Sequence, residues 1–210
     1  PNAYAAWQDK QVRGYGAKGW RIFSGEPVAG NEVAANTGVT TGRQGIARSG
    51  VYIATNVWTT TMVYTLRHYD LAGKASGAVY SPAANTALVT VLPVPESDRL
   101  VFVQENAANS VSQDFHLLSR EGAAFADTGK RLRPAEAHGS WGQYAHMSGC
   151  SSTGKVVVVA EGPGADSKSG RVDVFTQTQP TPDYALAYSI KPGARVHSAV
   201  LSANGKRLAY

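Results

Sequence analysis

Five histidines are the side chains of this 210-residue chain best suited to acid–base or metal chemistry near neutral pH: His68, His116, His138, His146 and His197. No two of them have the spacing of a zinc-binding pair on one helix, and no His-Glu-x-x-His motif occurs. The single cysteine, Cys150, excludes an internal disulfide and a multi-cysteine zinc site. We therefore predict no metal and no cofactor.

Two further candidate motifs lack the features that their chemistry needs, and a third motif is absent. The glycine spacing of residues 14–19 (GYGAKG) fits a dinucleotide-binding loop, which requires a helix directly after it. The segment that follows has the pattern of a strand, so we interpret residues 14–19 as a loop. No G-x-S-x-G nucleophile motif occurs, and the loop at 164–170 carries one aspartate, too few for a calcium site. The sequence thus predicts no catalytic residue.

Composition favours a folded domain without a nucleic-acid or membrane partner. Hydrophobic residues make up 43% of the chain, and no apolar run is long enough to predict a membrane span. The formal net charge is +5, but the basic residues are dispersed, whereas nucleic-acid surfaces concentrate them. The absence of an internal disulfide is typical of a cytosolic protein. Low charge and abundant small residues fit a secreted protein whose leader has been removed, and we slightly favour a secreted or extracellular location over the cytoplasm.

A short repeated pattern predicts the elements that must position any site. It is largely apolar with a mostly charged second residue, and it occurs at residues 20–24, 66–70, 115–119 and 172–176. Each of the last three copies follows an apolar, strand-like run at a near-constant distance, the runs being VYIAT from Val51, LVFVQ from Leu100 and VVVVA from Val156. A tight turn precedes each run, and a last such turn contains Asn204-Gly205, a strong hairpin signal.

The repeat unit therefore reads strand, tight turn, strand, polar loop, strand and a fourth segment, which is typical of a propeller blade. Units begin near residues 42, 85, 142 and 196, and residues 1–41 can complete the last one. We predict an all-β fold with a single domain over residues 1–210. It is a small β-propeller of about four four-stranded blades, with the last blade closed by the N-terminal strand. An open array that pairs with another chain, or a piece of a longer propeller, is the alternative.

The segment RVHSAVLSANGKRLAY (residues 195–210) resembles repeats of WD40-like and lactonase-type β-propellers. Residues 145–175, which begin with AHMSGCSSTGKVVVVA, are similar to blades of the seven-bladed lactonase and carboxymuconate-cyclase-like group. The resemblance covers residues 139–210 and concerns blade structure, and the Gly-His and Trp-Asp pairs of WD40 repeats are absent. For the lactonase and carboxymuconate-cyclase-like group, the resemblance implies an enzyme with a site in the central channel. His146, His197 and Glu105 are then the candidates that would lie near a substrate or metal.

Two loops of every propeller blade, those after its second and fourth strands, emerge on one face, which is a natural binding surface. Trp58 and Trp141 fall in such loops, and an exposed indole can stack on a sugar ring or contact a peptide group. The residues that this face gathers are our predicted ligand-binding residues: Trp58, Trp141, Tyr15, Glu105, His138, Asp166 and Arg195. The alternative is that the two tryptophans only seal blade interfaces.

These observations favour a non-enzymatic binding module, lectin-like or a scaffold, that presents one loop face to a carbohydrate or a protein. A lactonase- or cyclase-like propeller enzyme with a channel site is the first alternative. A structural subunit that forms a homo-oligomer through open blades is the second.

Overall fold

The computed structural model describes residues 4–8, 20–24, 32–36, 40–58, 62–70, 72–107, 113–133, 145–161, 170–177 and 183–210. Every regular element in these residues is a β-strand and none is a helix. The strands are β1 (Tyr4–Gln8), β2 (Trp20–Ser24), β3 (Glu32–Asn36), β4 (Thr40–Ala47), β5 (Gly50–Trp58), β6 (Met62–Asp70), β7 (Ala75–Tyr80), β8 (Thr86–Pro93), β9 (Leu100–Ala107), β10 (Gln113–Glu121), β11 (Ala124–Arg133), β12 (Ala145–Cys150), β13 (Val156–Glu161), β14 (Arg171–Gln177), β15 (Tyr184–Ile190), β16 (Val200–Leu201) and β17 (Leu208–Ala209).

Most strands pair antiparallel with their neighbours in the chain and form four-stranded units. Strands β4–β7 make one sheet, while β8–β11 and β12–β15 make two units that join into an eight-stranded sheet. The join is a short parallel pairing of β11 with β15, at Leu132–Tyr184 and Arg133–Ala185. The edges of the joined sheet, β8 and β12, contact each other, so the sheet is nearly closed on itself.

The continuous apolar runs occupy the second strand of each unit, as the sequence predicts. Val51–Ala54 in β5, Val101–Val103 in β9 and Val157–Ala160 in β13 are all buried. Each of these strands is paired on both edges, and β9 and β13 have an apolar cluster against each face. Strands of this kind lose the alternation of apolar and polar residues, because neither face meets water.

The all-β prediction is confirmed, and the described residues contain three complete four-stranded units. Their first strands begin at Thr40, Thr86 and Ala145, and β16 begins at Val200. The closed four-bladed ring is not confirmed, since β16–β17 form a two-stranded sheet and β1–β3 a separate three-stranded one. The predicted unit start near residue 196 places His197 in a first strand, but His197 precedes β16 and is exposed, while Val196 and Ala199 are buried.

Three apolar clusters lie where successive groups of strands pack against each other. The first fills the nearly closed sheet and includes Phe102, Phe175 and Tyr184, with the Phe102 and Tyr184 rings edge to face at 5.4 Å. A second joins the β4–β7 sheet to β8–β11, and a third packs β13 and β14 against the segment around Val196 and Ala199. Since each cluster draws on two successive units, packing between the units supplies the core.

Gly50 shows how the tight turns are made. It opens β5 at a φ of +141°, and a Cβ at this position would lie 2.0 Å from the Tyr69 carbonyl oxygen. Only glycine tolerates that backbone conformation and that approach. The residue therefore fixes where the first strand of the β4–β7 sheet turns into the second.

Candidate functional site

Polar side chains of two successive units meet at one end of their strands, between the β4–β7 sheet and strands β9–β11. We call this group the Glu105 cluster, and it consists of Tyr80, Glu105, Asp114, His116, Asp127 and Arg131. Glu105 near the end of β9 and Asp114 near the start of β10 are register partners. His116 follows Asp114 by two residues, so both side chains point to the same face of β10. Tyr80, the last residue of β7, reaches the group from the adjacent sheet.

Glu105 has two neighbours in this cluster and remains partly open. The Tyr80 hydroxyl donates a hydrogen bond to Glu105 Oε1. His116 Nε2 lies 3.7 Å from the same oxygen. The Glu105 side chain is 12% exposed, whereas that of His116 is 2% exposed. Of these two groups, Glu105 is therefore the one that a small molecule or a water can reach.

His116 is held on its other side by a chain of charges. Its Nδ1 lies 3.1 Å from Asp114 Oδ2, within hydrogen-bond distance but away from ideal hydrogen-bond geometry. Arg131 Nε lies 2.9 Å from Asp114 Oδ1, and its two terminal nitrogens contact the Asp127 carboxylate at 2.6 and 2.9 Å. The imidazole thus stands between two carboxylates, one of which is fixed by a guanidinium.

The protonation states of the cluster follow from these contacts. Burial, followed by the hydrogen bond to Glu105, raises the pKa of Tyr80 far above its usual range, so the phenol stays protonated and donates. The hydrogen bonds from Arg131 lower the pKa of Asp127 to about 2. Burial raises the pKa of Asp114, but His116 and Arg131 outweigh it and the net shift is downward. Both aspartates are therefore carboxylates at neutral pH.

A second buried histidine lies at the opposite end of the same strands. His68 Nδ1 is 2.8 Å from Arg120 Nη1, and its Nε2 is 3.3 Å from Ser49 Oγ. Its ring also packs on Tyr52, at 4.7 Å between centroids. A guanidinium can only donate, so Nδ1 accepts and the proton sits on Nε2. His68 therefore cannot take a proton from Ser49, and we interpret the group as a contact that holds two units together.

Stability should fall in mild acid because of His68. Burial, then Arg120, lowers the pKa of His68, while Ser49 and the carboxylates of Asp70 and Asp98 oppose the shift. The unfolded chain, with a histidine pKa of about 6.5, then binds the proton more readily than the fold does. The contribution of His68 is complete above pH about 6.5 and is lost as pH falls through the lower, folded pKa.

The urea midpoint measured between pH 8 and pH 5 tests this effect. His68→Gln should flatten the acid side of the curve, although it lowers the midpoint at pH 8. His197→Gln, the same change at an exposed histidine, should leave the slope as it is. An equal slope in the wild type and in His68→Gln would show that another group carries the acid sensitivity.

Cys150 is predicted to be inert in the folded protein. It packs against the first apolar cluster, with its Sγ 3.7 Å from the Pro93 carbonyl oxygen, and burial raises its pKa to about 12. The thiolate, which is the reactive form, is then almost absent at pH 8. We expect no reaction with Ellman's reagent in the native state and one reactive thiol in guanidinium. A native thiol that reacts as fast as free cysteine would contradict this.

The structure places only some of the predicted ligand residues. Glu105 lies in the cluster just described, and Arg195 is exposed in the segment between β15 and β16. Trp58 is the last residue of β5, in register with Met62 of β6, and not in a loop as predicted. The pairing of β5 with β6 continues to the end of both strands, which explains the difference. Four predictions lie outside the described residues: Tyr15, His138, Trp141 and Asp166.

The channel candidates of the alternative prediction lie on different elements. Glu105 faces a neighbouring sheet, His197 is exposed outside any strand, and His146 lies in β12 opposite Ala160. Sequence reasoning did not single out Tyr80, Asp114 and Arg131 as partners of Glu105. The available signal was the charged second position of the repeat, which His116 occupies in 115–119.

In the described part of the chain, no group of three or more histidine, cysteine, aspartate or glutamate side chains is arranged to hold a metal ion. The same residues contain no helix with the length and apolar character needed to cross a membrane.

The nearly closed sheet and the successive four-stranded units define an all-β, propeller-like fold. Its fold is similar to that of a Bacteroides uniformis protein whose crystal structure is described, provisionally, as a 6-phosphogluconolactonase. The TM-score is 0.51 at 12% sequence identity, and the match covers 94% of this chain and 57% of the other. This chain thus spans little more than half the length of that protein. No protein-family profile and no curated protein matches the sequence.

The comparison confirms the predicted lactonase-type resemblance as a likeness of fold, and it gives no support to a WD40 relationship. It contradicts the prediction of a non-enzymatic, lectin-like or scaffold module for a carbohydrate or protein. The similar fold belongs to a protein whose crystal structure is described, provisionally, as that of an enzyme. The predicted carbohydrate- or protein-binding face requires Trp58 in a loop, but Trp58 is the last residue of strand β5.

Proposed function

We propose that this protein is a hydrolase that opens lactones, and that Glu105 is its general base. The observation that carries the proposal is the carboxylate of Glu105, partly exposed and held between the Tyr80 hydroxyl and the His116 ring. A fixed carboxylate with a charged network behind it is a common arrangement for activating water.

Lactone hydrolysis needs only one proton carrier. Glu105 takes a proton from a water molecule while the water oxygen bonds to the lactone carbonyl carbon. The tetrahedral intermediate then collapses, the bond from that carbon to the ring oxygen breaks, and the ring oxygen takes the proton from Glu105. One lactone and one water give one hydroxy acid, and Glu105 returns to its carboxylate form.

Similarity of fold supports this reaction class over a binding function. The similar Bacteroides uniformis protein is described as a 6-phosphogluconolactonase, so a sugar lactone, with or without a phosphate, is the first substrate class to test. We propose that the remaining sequence-predicted residues contact the substrate around Glu105: Tyr15, Trp58, His138, Trp141, Asp166 and Arg195. The single domain over residues 1–210 and a blade completed by residues 1–41 also stay proposals.

A pH-stat assay on the wild-type protein tests the function. Glucono-δ-lactone, its 6-phosphate and δ-valerolactone are offered separately, and acid release is compared with spontaneous opening in buffer. We expect saturable acceleration for at least one of the sugar lactones. A preference for the phosphorylated substrate would indicate a cationic subsite, and a rate no faster than buffer for all three would overturn the proposal.

A further inference from the structure

We propose that Asp114 and Arg131 are positioning residues that set the proton position on His116, and thereby tune Glu105 as a base. This inference rests on the proposed function. It starts from the fact that His116 is buried and has a carboxylate near each ring nitrogen, Asp114 at 3.1 Å and Glu105 at 3.7 Å. In its neutral form the imidazole carries one proton, and in that form only one of these carboxylates can receive a hydrogen bond from it.

The shorter distance assigns the proton to Nδ1, facing Asp114. Nε2 then presents its lone pair to Glu105. While Glu105 is a carboxylate, His116 in this tautomer gives it no hydrogen bond. Once Glu105 has taken a proton from water, the lone pair can accept a hydrogen bond from the new hydroxyl. The opposite tautomer would stabilise the carboxylate form and oppose the reaction.

Arg131 is the residue that keeps Asp114 in place. Asp114 is 46% exposed, so its carboxylate would otherwise sample several rotamers. Arg131 is 18% exposed and contacts Asp114 through Nε while its two terminal nitrogens contact Asp127. A planar guanidinium can hold two carboxylates at fixed angles, which a lysine ammonium cannot.

The buried His116 ring could form stronger hydrogen bonds than it forms in this structure. Neither ring nitrogen of His116 meets strict hydrogen-bond geometry among the described residues, although both face carboxylates. Catalytic hydrogen bonds are often long in a free enzyme and tighten when substrate binds. Once Glu105 is protonated, a small approach would bring its hydroxyl within hydrogen-bond distance of Nε2, which lies 3.7 Å from Glu105 Oε1.

The test combines kinetics with nitrogen-15 NMR of the imidazole rings, which reports which nitrogen carries the proton. The wild type should show His116 protonated on Nδ1. Asp114→Ala should move the proton to Nε2 and lower kcat by about 10–100-fold, the range for partners that act through another residue, with KM within about twofold. Arg131→Lys, which keeps the charge, should show a smaller loss and a mixture of tautomers. Asp98→Ala, in an exposed turn at the other end of the strands, should change neither quantity.

The outcomes separate this inference from the proposed function. A wild-type protein that opens no lactone would refute both the function and the positioning role. An active wild type with the proton on Nε2, or an Asp114→Ala protein with the altered tautomer and an unchanged kcat, would refute the positioning role alone. If Asp114→Ala does not fold by circular dichroism, Arg131→Lys decides, because a full wild-type kcat with wild-type tautomer contradicts the proposal.

Discussion

Replacement of Glu105 by glutamine should lower kcat for lactone opening by about 10²–10⁴-fold, the range that general acid–base catalysis supplies. The amide has the shape of the carboxylate and can still accept the hydrogen bond from Tyr80, but it cannot take a proton from water. KM should change little, because the lost interaction belongs to the transition state. Acid release in the pH-stat gives both constants.

Glu96→Gln is the matched control for that experiment. Glu96 is exposed in the turn between β8 and β9, at the opposite end of the strand that carries Glu105. The substitution is chemically the same and should leave both constants at the wild-type value. Retention of more than a tenth of the wild-type kcat by Glu105→Gln would exclude Glu105 as the base.

Phe102→Ala should cost the fold about 3–5 kcal/mol, as expected for a buried phenylalanine truncated in a core. Phe102 is fully buried in the first apolar cluster, where its ring meets Tyr184 edge to face. Because Tyr184 belongs to the adjacent unit, the substitution leaves a cavity between two units and weakens both. Urea or thermal unfolding measures the loss.

Tyr210→Ala provides the comparison for this stability effect. Tyr210 is 60% exposed, so removal of its ring should change the unfolding free energy by no more than about 0.5 kcal/mol. A loss below about 1 kcal/mol for Phe102→Ala would mean that the units do not depend on the cluster between them.

Most of the strand order was predictable because each unit carries local signals. Apolar runs such as Val157–Ala160 mark the strands buried on both faces, and the glycine-containing turns fix where they begin. The Ser202–Lys206 turn forms as expected, with Gly205 at a φ of +71° and its N–H donating to the Ser202 carbonyl. These features depend on residues that are close in sequence.

The site was less predictable because it depends on contacts between units. Because side chains alternate along β10, Asp114 and His116 lie on the same face of this strand. No local sequence pattern indicates that Tyr80 of the preceding unit lies next to that face. The predicted ring closure depends on a still longer-range pairing, between the two ends of the chain, and the observed sheets β1–β3 and β16–β17 are separate. Local periodicity therefore predicts the units, and the packing between them decides both the site and the closure.

A single-turnover reaction in ¹⁸O-water tests the central claim most directly. Enzyme in excess over glucono-δ-lactone, at a rate above spontaneous opening, is quenched after one turnover, and the product and the peptide with Glu105 are weighed by mass spectrometry. We predict one ¹⁸O in the carboxylate of the product and none in Glu105, because water adds directly to the carbonyl carbon. Label in Glu105, which would show a covalent acyl intermediate, or no acceleration over buffer, would contradict the proposed mechanism.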